Sequence, residues 1–368
     1  MAGGGDRDDG EVGLPAAPHN NDILASLRVP LETPRQVAEA LRSWATEHNL
    51  LKRGTSPLGA FDRIQADAIP MPADAIDILE RQAITAFGIN DRRSRVIVYT
   101  TKRITKSQSS ILPPDIGRNI EIVYRQARPI VIGNEEEDPI LGVSPYYIAA
   151  GRYACGSSIS VGNNRSAGTL GALVRNGDGE LFGLTNNHVT GGCNNTRRGL
   201  PILAPGVMDV MANTRSPFTI GMHDSVLTLR QGEPTTIAHR ENTDAALFRI
   251  LDAGAVSSMQ GTLYDTPNSW VAPEPDMEVE KVGRTTGHQT GIIESEIVGP
   301  WPLTYKTITY HSPDETAAFV GTVFFEPVFL IRGHNGAFSQ PGDSGSLVTT
   351  TIDNVRHAVG LVFCWTRE

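Results

Sequence analysis

The sequence predicts a mainly β fold that follows a small α+β domain. From about residue 143 onward, short apolar runs alternate with turn residues, which is the pattern of a barrel or a sandwich of short strands. The 37 glycines and 24 prolines make up about a sixth of the chain and favour turn-rich β structure. Before residue 143, apolar residues first recur at helical spacing and then form strand-like runs, which indicates mixed α and β structure.

Composition and charge narrow the possible classes of function. The 368 residues are 39% hydrophobic and 20% charged, which indicates a globular chain with a core. With 32 basic and 41 acidic residues the net charge is −9, which argues against a dedicated nucleic-acid-binding protein. The three cysteines, Cys155, Cys193 and Cys364, do not form the pattern of a disulfide framework. We expect free thiols, with a Cys155–Cys193 bridge as the open alternative.

The N-terminal residues 1–22 are rich in Gly, Asp and Pro and are predicted to be disordered. They contain no apolar core of the signal-peptide type. No run in the chain approaches the roughly 18 apolar residues of a membrane span. These patterns predict a cytoplasmic protein that does not bind a membrane.

Residues 23–130 are predicted to form an α+β accessory domain. Thr33 can cap a helix that begins at Pro34, and the residues that share its apolar face are Val37, Leu41, Trp44 and Ala45. Helical spacing of apolar residues predicts a second helix over Ala73–Phe87, which Gly88 would end.

Strand signals follow these helices. Arg95–Thr100 and Ile120–Tyr124 are rich in β-branched and aromatic residues. Residues 131–145 are predicted to be a linker, with an acidic run at Glu135–Pro139. In the β domain, residues 146–368, a hairpin is predicted with strands Gly168–Val174 and Leu181–Thr185 and its turn at residues 176–179.

The run Gly342-Asp343-Ser344-Gly345-Ser346 is the most informative local motif. A nucleophilic serine needs neighbours that do not block a substrate carbonyl, and glycine has no side chain. Backbone N–H groups around such a serine can converge on one point and stabilise an oxyanion. Ser344 is therefore a candidate nucleophile.

His188 and Asp244 are the candidate partners of this serine. His188 follows a predicted strand, and Asp244 begins an apolar strand, where a carboxylate needs a hydrogen-bonding partner. An imidazole N–H would satisfy it and fix the histidine tautomer. Asp209 and Asp224 are rival acids, and Asp224 is the stronger because it also precedes a strand-like run. We interpret His223 beside Asp224 as solvated loop residues and expect no metal site.

These motifs resemble the trypsin/chymotrypsin-like serine peptidases, and specifically their bacterial branch. The resemblance covers roughly residues 155–365 and is carried by the segments Gly168–Val174, Leu184–His188, Thr243–Leu247, Lys281–Gly287 and Phe338–Val348. It implies a chymotrypsin-like double β-barrel. It also favours Asp244 over Asp224, because family members begin this strand with a similar Asp-Ala-Ala-Leu run. No chemistry can be assigned to Lys281–Gly287 from its residue types.

The resemblance implies a catalytic triad of His188 as general base, Asp244 as its orienting partner and Ser344 as nucleophile. The backbone N–H groups of Gly342 and Ser344 would form the oxyanion hole. No metal or organic cofactor is expected. Phe338 occupies the position at the base of the family's specificity pocket, which argues against a preference for basic residues.

The expected function is a serine endopeptidase that acts on a protein or peptide substrate. The resemblance leaves regulation open: activation by cleavage, or control by a partner protein that binds residues 23–130. Family members continue beyond the strand that ends near Trp365, so the peptidase domain is expected to be truncated, completed by another element, or weakened. The alternatives are an inactive binding module on the same fold and an esterase that uses the same triad.

Overall fold

The structure is a computed structural model that describes residues 31–51, 59–127, 131–133, 144–162, 164, 166–210, 218–312 and 315–364. The predicted disorder over residues 1–22 and the acidic run Glu135–Pro139 lie outside the described residues. Four α-helices occur in this part of the chain: α1 Pro34–Glu47, α2 Ala60–Asp67, α3 Ala73–Gln82 and α4 Lys106–Ser109. None of the described helices is long and apolar enough to cross a membrane.

Strands dominate the rest, and the prediction of a mainly β fold is confirmed. The strands within the described ranges are β1 Ile84–Asn90, β2 Arg95–Thr100, β3 Asp115–Ile116, β4 Ile120–Gln126, β5 Val131–Gly133, β6 Ile148–Ala149, β7 Arg152–Cys155, β8 Ser158–Val161, β9 Gly168–Thr169, β10 Ala172–Arg175, β11 Leu181–Thr185, β12 Pro201–Ala204, β13 Phe218–Val226, β14 Ala246–Ile250, β15 Val256–Gln260, β16 Tyr264–Asp265, β17 Glu278–Gly283, β18 Gly287–Ile297, β19 Trp301–Ser312, β20 Glu315–Phe325, β21 Val328–Gly333, β22 Leu347–Ile352 and β23 Val355–Leu361.

Helix α1 begins where the sequence predicted. Thr33 caps it, since the backbone N–H of Gln36 donates to the Thr33 hydroxyl and the backbone N–H of Thr33 donates to the Gln36 side chain. Pro34 occupies the first helical turn. The predicted apolar face is buried in one cluster with residues of β1 and β2. Burial of this face against a sheet stabilises the helix more than its intrinsic propensity does.

The helix predicted over Ala73–Phe87 corresponds to α3 and is shorter than predicted. It ends at Gln82, and Ala83 has a φ of +57°, which breaks the helical path. Residues 84–87, expected to be helical, belong to β1 and pair with β2 in antiparallel register, with Phe87 opposite Val98. A run of apolar residues at helical spacing can also form a buried strand. Residues 84–87 form a strand because their backbone groups hydrogen-bond to β2.

One nine-stranded sheet joins the N-terminal region to the C-terminal part of the chain. Its order is β23-β22-β17-β18-β1-β2-β4-β3, with β21 also paired to β18. The connection is the antiparallel pair β1–β18, in which Gly88 lies opposite Ile297. Ion pairs beside it link Arg35 to Glu296 at 2.9 Å and Arg93 to Asp276 at 2.8 Å. The predicted α+β region is therefore continuous with the sheet that carries β17, β18 and β22.

Three smaller sheets complete the fold. A seven-stranded sheet has the order β10-β11-β14-β13-β12-β8-β9 and contains the predicted hairpin as β10–β11. The first strand of the hairpin begins at Ala172 and not at Gly168, because Gly168–Thr169 form the separate strand β9, which pairs with β8. A four-stranded sheet has the order β16-β15-β7-β6. The third sheet is the long hairpin β19–β20 with β5 paired in parallel to β19. The nine-stranded and the seven-stranded sheets thus contain most of the described strands.

Candidate active site

Two neighbouring strands of the seven-stranded sheet bring His188 and Asp244 together. Strand β11 pairs with β14, and Thr185 at the end of β11 lies opposite Ala246 at the start of β14. His188 follows in a single π-helical turn, Asn187–Gly191, and Asp244 lies two residues before β14. Because the two strand ends are adjacent, their flanking residues meet at one edge of the sheet.

The contact between these residues is direct. The Nδ1 atom of His188 lies 2.5 Å from Oδ2 of Asp244, and the His188 backbone N–H donates to Oδ1 at 3.0 Å. The side-chain amide of Asn186 donates to the Asp244 carbonyl oxygen at 2.6 Å and so fixes the backbone of the acid. Asp244 therefore holds both the ring and the backbone of His188, and this leaves Nε2 as the ring atom available for proton transfer.

The two rival acids have other partners. Asp209 is buried and accepts two hydrogen bonds from the guanidinium of Arg284, at 2.7 and 2.8 Å, and a third from the Ser158 hydroxyl. Asp224 pairs with Arg198 at 2.6 Å. Its neighbour His223, expected on a solvated loop, is instead buried on β13, where burial lowers its pKa to about 4. That part of the interpretation was wrong because β13 continues through this segment.

The loop that carries Ser344 lies between β21 and β22 and bonds across to the seven-stranded sheet. The backbone N–H of Thr169 donates to the Ser344 carbonyl at 2.8 Å, and the Thr169 hydroxyl donates to the Gly342 carbonyl at 2.9 Å. Gly168 contacts both this loop and the turn of His188, since a Cβ built on it would lie 3.1 Å from the Ser344 carbonyl oxygen and 2.5 Å from Val189. These contacts place the serine loop beside the His188 turn.

Two glycines shape the serine loop. Gly342 and Gly345 have φ of +89° and +94°, values that other residues rarely adopt. A Cβ at Gly342 would lie 2.1 Å from Arg284, and one at Gly345 would lie 2.3 Å from Thr185. In the described part of the chain, the N–H groups of Gly342 and Ser344 have no acceptor, whereas those of Asp343 and Gly345 do. Two free N–H groups beside a serine can receive an oxyanion.

A buried ion pair fixes the residue before the serine. The Lys281 ammonium lies 3.0 Å from the Asp343 carboxylate, and both side chains are fully buried. Burial lowers the pKa of Lys281, and Asp343 opposes that shift by favouring the charged form. Asp343 also accepts backbone hydrogen bonds from Thr285, Thr286 and Gln340. The run Lys281–Gly287, to which the sequence assigned no chemistry, thus anchors the serine loop through Lys281 and reaches Asp209 through Arg284.

An apolar cavity lies beside this loop, between β21 and the end of β23. Its empty volume is about 610 Å³ with the adjoining open solvent included. Phe338, the predicted pocket residue, is not in its wall but is buried in a hydrophobic cluster with Val348 and Val362. The residues that line the cavity are Ile297, Trp301, Val328, Phe329, Leu330, Ile331, Ser339, Val348, Leu361, Val362, Phe363 and Cys364.

The three cysteines are free thiols, so the Cys155–Cys193 bridge is not formed. Burial raises the pKa of Cys155 and of Cys364 to about 12, and it also raises the pKa of Cys193. Thiols with such pKa values stay protonated and are poor nucleophiles. Across the described ranges, no group of His, Cys, Asp and Glu side chains has the arrangement of a metal site.

Sequence reasoning missed three residues at this site. Lys281 and Arg284 lie in a run that was recognised, but their carboxylate partners are 62 and 75 positions away along the chain. The third is Tyr305, whose hydroxyl donates to Oδ2 of Asp244 at 2.9 Å. A tyrosine on a strand carries no local signal for such a contact, so only the structure could reveal it.

Comparisons with solved structures return bacterial serine proteases. A protease of Nocardiopsis has 19% identity and a TM-score of 0.31, and the alignment covers 56% of this chain and 81% of that one. Protease A of Thermobifida fusca has 17% identity and a TM-score of 0.31, with coverages of 56% and 82%. A chymotrypsin of Cellulomonas bogoriensis has 18% identity and a TM-score of 0.30, with coverages of 58% and 87%. No protein-family profile and no curated protein sequence matches the chain.

Proposed function

We propose that this protein is a serine endopeptidase in which Ser344 is the nucleophile, His188 the general base and Asp244 its orienting partner. The observation that carries the proposal is the hydrogen bond between His188 and Asp244, in which Nδ1 lies 2.5 Å from the carboxylate. The serine loop is hydrogen-bonded to the same seven-stranded sheet through Thr169. A carboxylate in this position fixes the imidazole tautomer and stabilises the imidazolium that forms during the reaction.

The proposed reaction is acyl transfer. The Ser344 hydroxyl attacks the peptide carbonyl while Nε2 of His188 accepts its proton, and the N–H groups of Gly342 and Ser344 stabilise the oxyanion. His188 then gives the proton to the leaving amine, which departs and leaves an acyl-enzyme. Water, activated by His188, hydrolyses the ester and restores the serine.

The cavity beside the serine loop supports a preference for a large apolar side chain next to the cleaved bond. Eleven of its twelve lining residues are apolar, and Ser339 is the exception. None of the described residues in its wall has a charged side chain that could pair with an Arg, Lys, Asp or Glu side chain of the substrate, and burying such a charge without a partner is costly. We therefore expect cleavage beside Leu, Met or Phe.

The Lys281–Asp343 pair supports activity without prior cleavage. The buried carboxylate next to the nucleophile already has a cation from within the chain, at 3.0 Å. A new N-terminal amine is therefore not needed to neutralise Asp343. Mass spectrometry of the active protein would check this, because full activity in an uncut chain is the expected result and activity confined to cut chains would contradict it.

Labelling with a fluorophosphonate probe tests the nucleophile. Wild-type protein should be labelled and Ser344→Ala should not. Ser346→Ala is the matched control, because its hydroxyl donates to the Asp343 carbonyl at 2.6 Å and takes no part in the proposed reaction. Equal labelling of wild type and Ser344→Ala, or none of either, would refute the assignment.

Substrate cleavage separates the proposed activity from the alternatives. A peptide library should be cut on one side of large apolar residues in a Ser344-dependent manner. Turnover of simple esters without peptide cleavage would identify an esterase. A folded protein that binds peptides but turns over neither substrate would identify a binding module.

A further inference from the structure

The hairpin β19–β20 delivers a tyrosine hydroxyl to the acid of the candidate site. Tyr305 is fully buried on β19, and its hydroxyl donates to Oδ2 of Asp244, the same oxygen that lies beside Nδ1 of His188. The ring centroids of Tyr305 and His188 are 5.5 Å apart. The tyrosine therefore contacts both members of the pair from an element outside the two strands that carry them.

The hairpin is held against the site by several contacts. The Asn242 side chain, two residues before Asp244, donates to the Phe324 carbonyl at 2.9 Å. Glu326 accepts from Arg240 at 2.7 Å and contacts His239 at 3.1 Å. On its other side, β19 pairs with β5, so that Tyr305 lies opposite Ile132. These contacts fix the position of Tyr305 relative to Asp244.

The groups that surround Asp244 make Tyr305 a neutral donor. Burial, together with the negative charge of Asp244, raises the pKa of the Tyr305 hydroxyl well above its usual value. In the described part of the chain, the other titratable neighbours of this carboxylate are His188, Cys193 and Cys364, and burial raises the pKa of both thiols. At neutral pH the acid thus lies between one imidazole and one hydroxyl that keeps its proton.

We propose that Tyr305 is a positioning residue that aligns the carboxylate of Asp244 so that it orients the imidazole of His188. The proposal rests on the proposed function for the role of His188 as a base. A hydroxyl bond to Oδ2 restricts rotation of the carboxylate and disperses part of its negative charge. Without it, the carboxylate aligns the imidazole less well, and its fuller charge holds the imidazolium more strongly. Both effects act on turnover and on the pH dependence of His188 rather than on substrate binding.

The test compares Tyr305→Phe with Tyr99→Phe. Tyr99 is also buried, belongs to the same hydrophobic cluster, and donates its hydroxyl to a carboxylate, that of Glu294 at 3.1 Å, away from Asp244. For Tyr305→Phe we expect kcat to fall about 10- to 100-fold, as for loss of a hydrogen bond to a charged group, with KM unchanged. The acid limb of its pH–rate profile should move to higher pH. Tyr99→Phe should match wild type in kcat and in pH profile.

A second measurement does not depend on catalysis. With ¹⁵N-histidine-labelled protein, the ring signal of His188 is assigned by its loss in His188→Gln and is titrated by NMR. The midpoint should rise in Tyr305→Phe and stay constant in Tyr99→Phe. If the two phenylalanine variants have the same His188 titration midpoint and the same kcat, Tyr305 has no positioning role, whether or not the protein is a peptidase. If Ser344-dependent labelling is absent while the midpoint still shifts, the proposed function fails and the contact between Tyr305 and the pair stands.

Discussion

At the scale of single residues, the carboxylate of Asp244 is the centre of the site. Its side chain is 2% exposed and accepts from the His188 ring, the His188 backbone and the Tyr305 hydroxyl. A buried carboxylate is tolerable only when such donors replace its hydration. The carboxylates of Asp209 and Asp224 form ion pairs with Arg284 and Arg198 instead, so neither is available to His188.

Replacement of this acid tests its role. Asp244→Asn should lower kcat by about 10⁴, because an amide cannot hold the productive tautomer of His188. The measurement is turnover of an apolar peptide substrate by the purified variant. Asp224→Asn, which loses only its contact with Arg198, should keep wild-type turnover. A normal rate for Asp244→Asn, or a loss of similar size in Asp224→Asn, would move the role elsewhere.

His223 makes a separate prediction about stability and pH. Burial lowers its pKa from 6.5 to about 4, and its Nδ1 atom has no hydrogen-bond partner among the described residues. Between these values the unfolded chain binds more protons than the folded one, so stability rises with pH in this window. His223 should therefore remove up to roughly 3 kcal/mol of unfolding free energy as the pH falls from 6.5 to 4.

Urea unfolding at several pH values between 4 and 7.5 provides the measurement. His223→Gln should flatten the dependence of the unfolding free energy on pH relative to wild type, whatever its effect at pH 7.5. His334→Gln, at a half-exposed position paired with Glu278, should leave the slope as it is. Parallel curves for wild type and His223→Gln would show that His223 titrates normally.

At the scale of elements, strand β17 and the serine loop are joined by the Lys281–Asp343 pair. Removal of one partner leaves a buried charge without its counter-ion, which costs about 3–5 kcal/mol. Lys281→Met should lower the unfolding free energy by that amount and slow fluorophosphonate labelling of Ser344, because the loop loses its anchor. The unfolding free energy, from urea unfolding, and the labelling rate are measured on the same protein preparation.

Two further variants complete that test. Arg356→Met breaks a partly exposed pair with Glu280, also on β17, and the contact of the guanidinium with the Tyr264 ring, and should cost about 1–2 kcal/mol. The double variant Lys281→Met/Asp343→Asn removes both charges and should recover part of the lost stability. If Lys281→Met and Arg356→Met are equally mild, the buried pair does not anchor the loop.

At the scale of the whole molecule, the N-terminal region and the serine loop belong to one sheet. Pairing of β1 with β18 makes this sheet continuous from its edge strand β3 to its edge strand β23. We expect these parts to unfold in one transition, because loss of β1 exposes an edge of β18. Pulsed hydrogen exchange along a urea titration should therefore give the same midpoint for peptides from β2 and from β22.

A core substitution far from the site sharpens this test. Leu41 on α1 is buried in the N-terminal cluster, and Leu41→Ala should cost about 2–5 kcal/mol. The midpoints of both peptides should fall together. Glu47→Ala, at the exposed end of α1, should leave both in place. Two separate midpoints would show that residues 23–130 unfold as a domain of their own, which is what the sequence predicts.

Local sequence patterns are enough to predict the mainly β class, helix α1, the hairpin β10–β11 and the candidate residues His188, Asp244 and Ser344. Each of these depends on a local pattern or a short motif, which neighbouring residues along the chain define. The cytoplasmic location and a partner for residues 23–130 stay predictions from the same source. Contacts between distant parts of the chain make β1 a strand, bring His188 to Asp244, and place Lys281 and Tyr305 at the site. Those outcomes depend on partners far apart in sequence, whose meeting is determined by strand pairing and by the requirement that buried charges find donors.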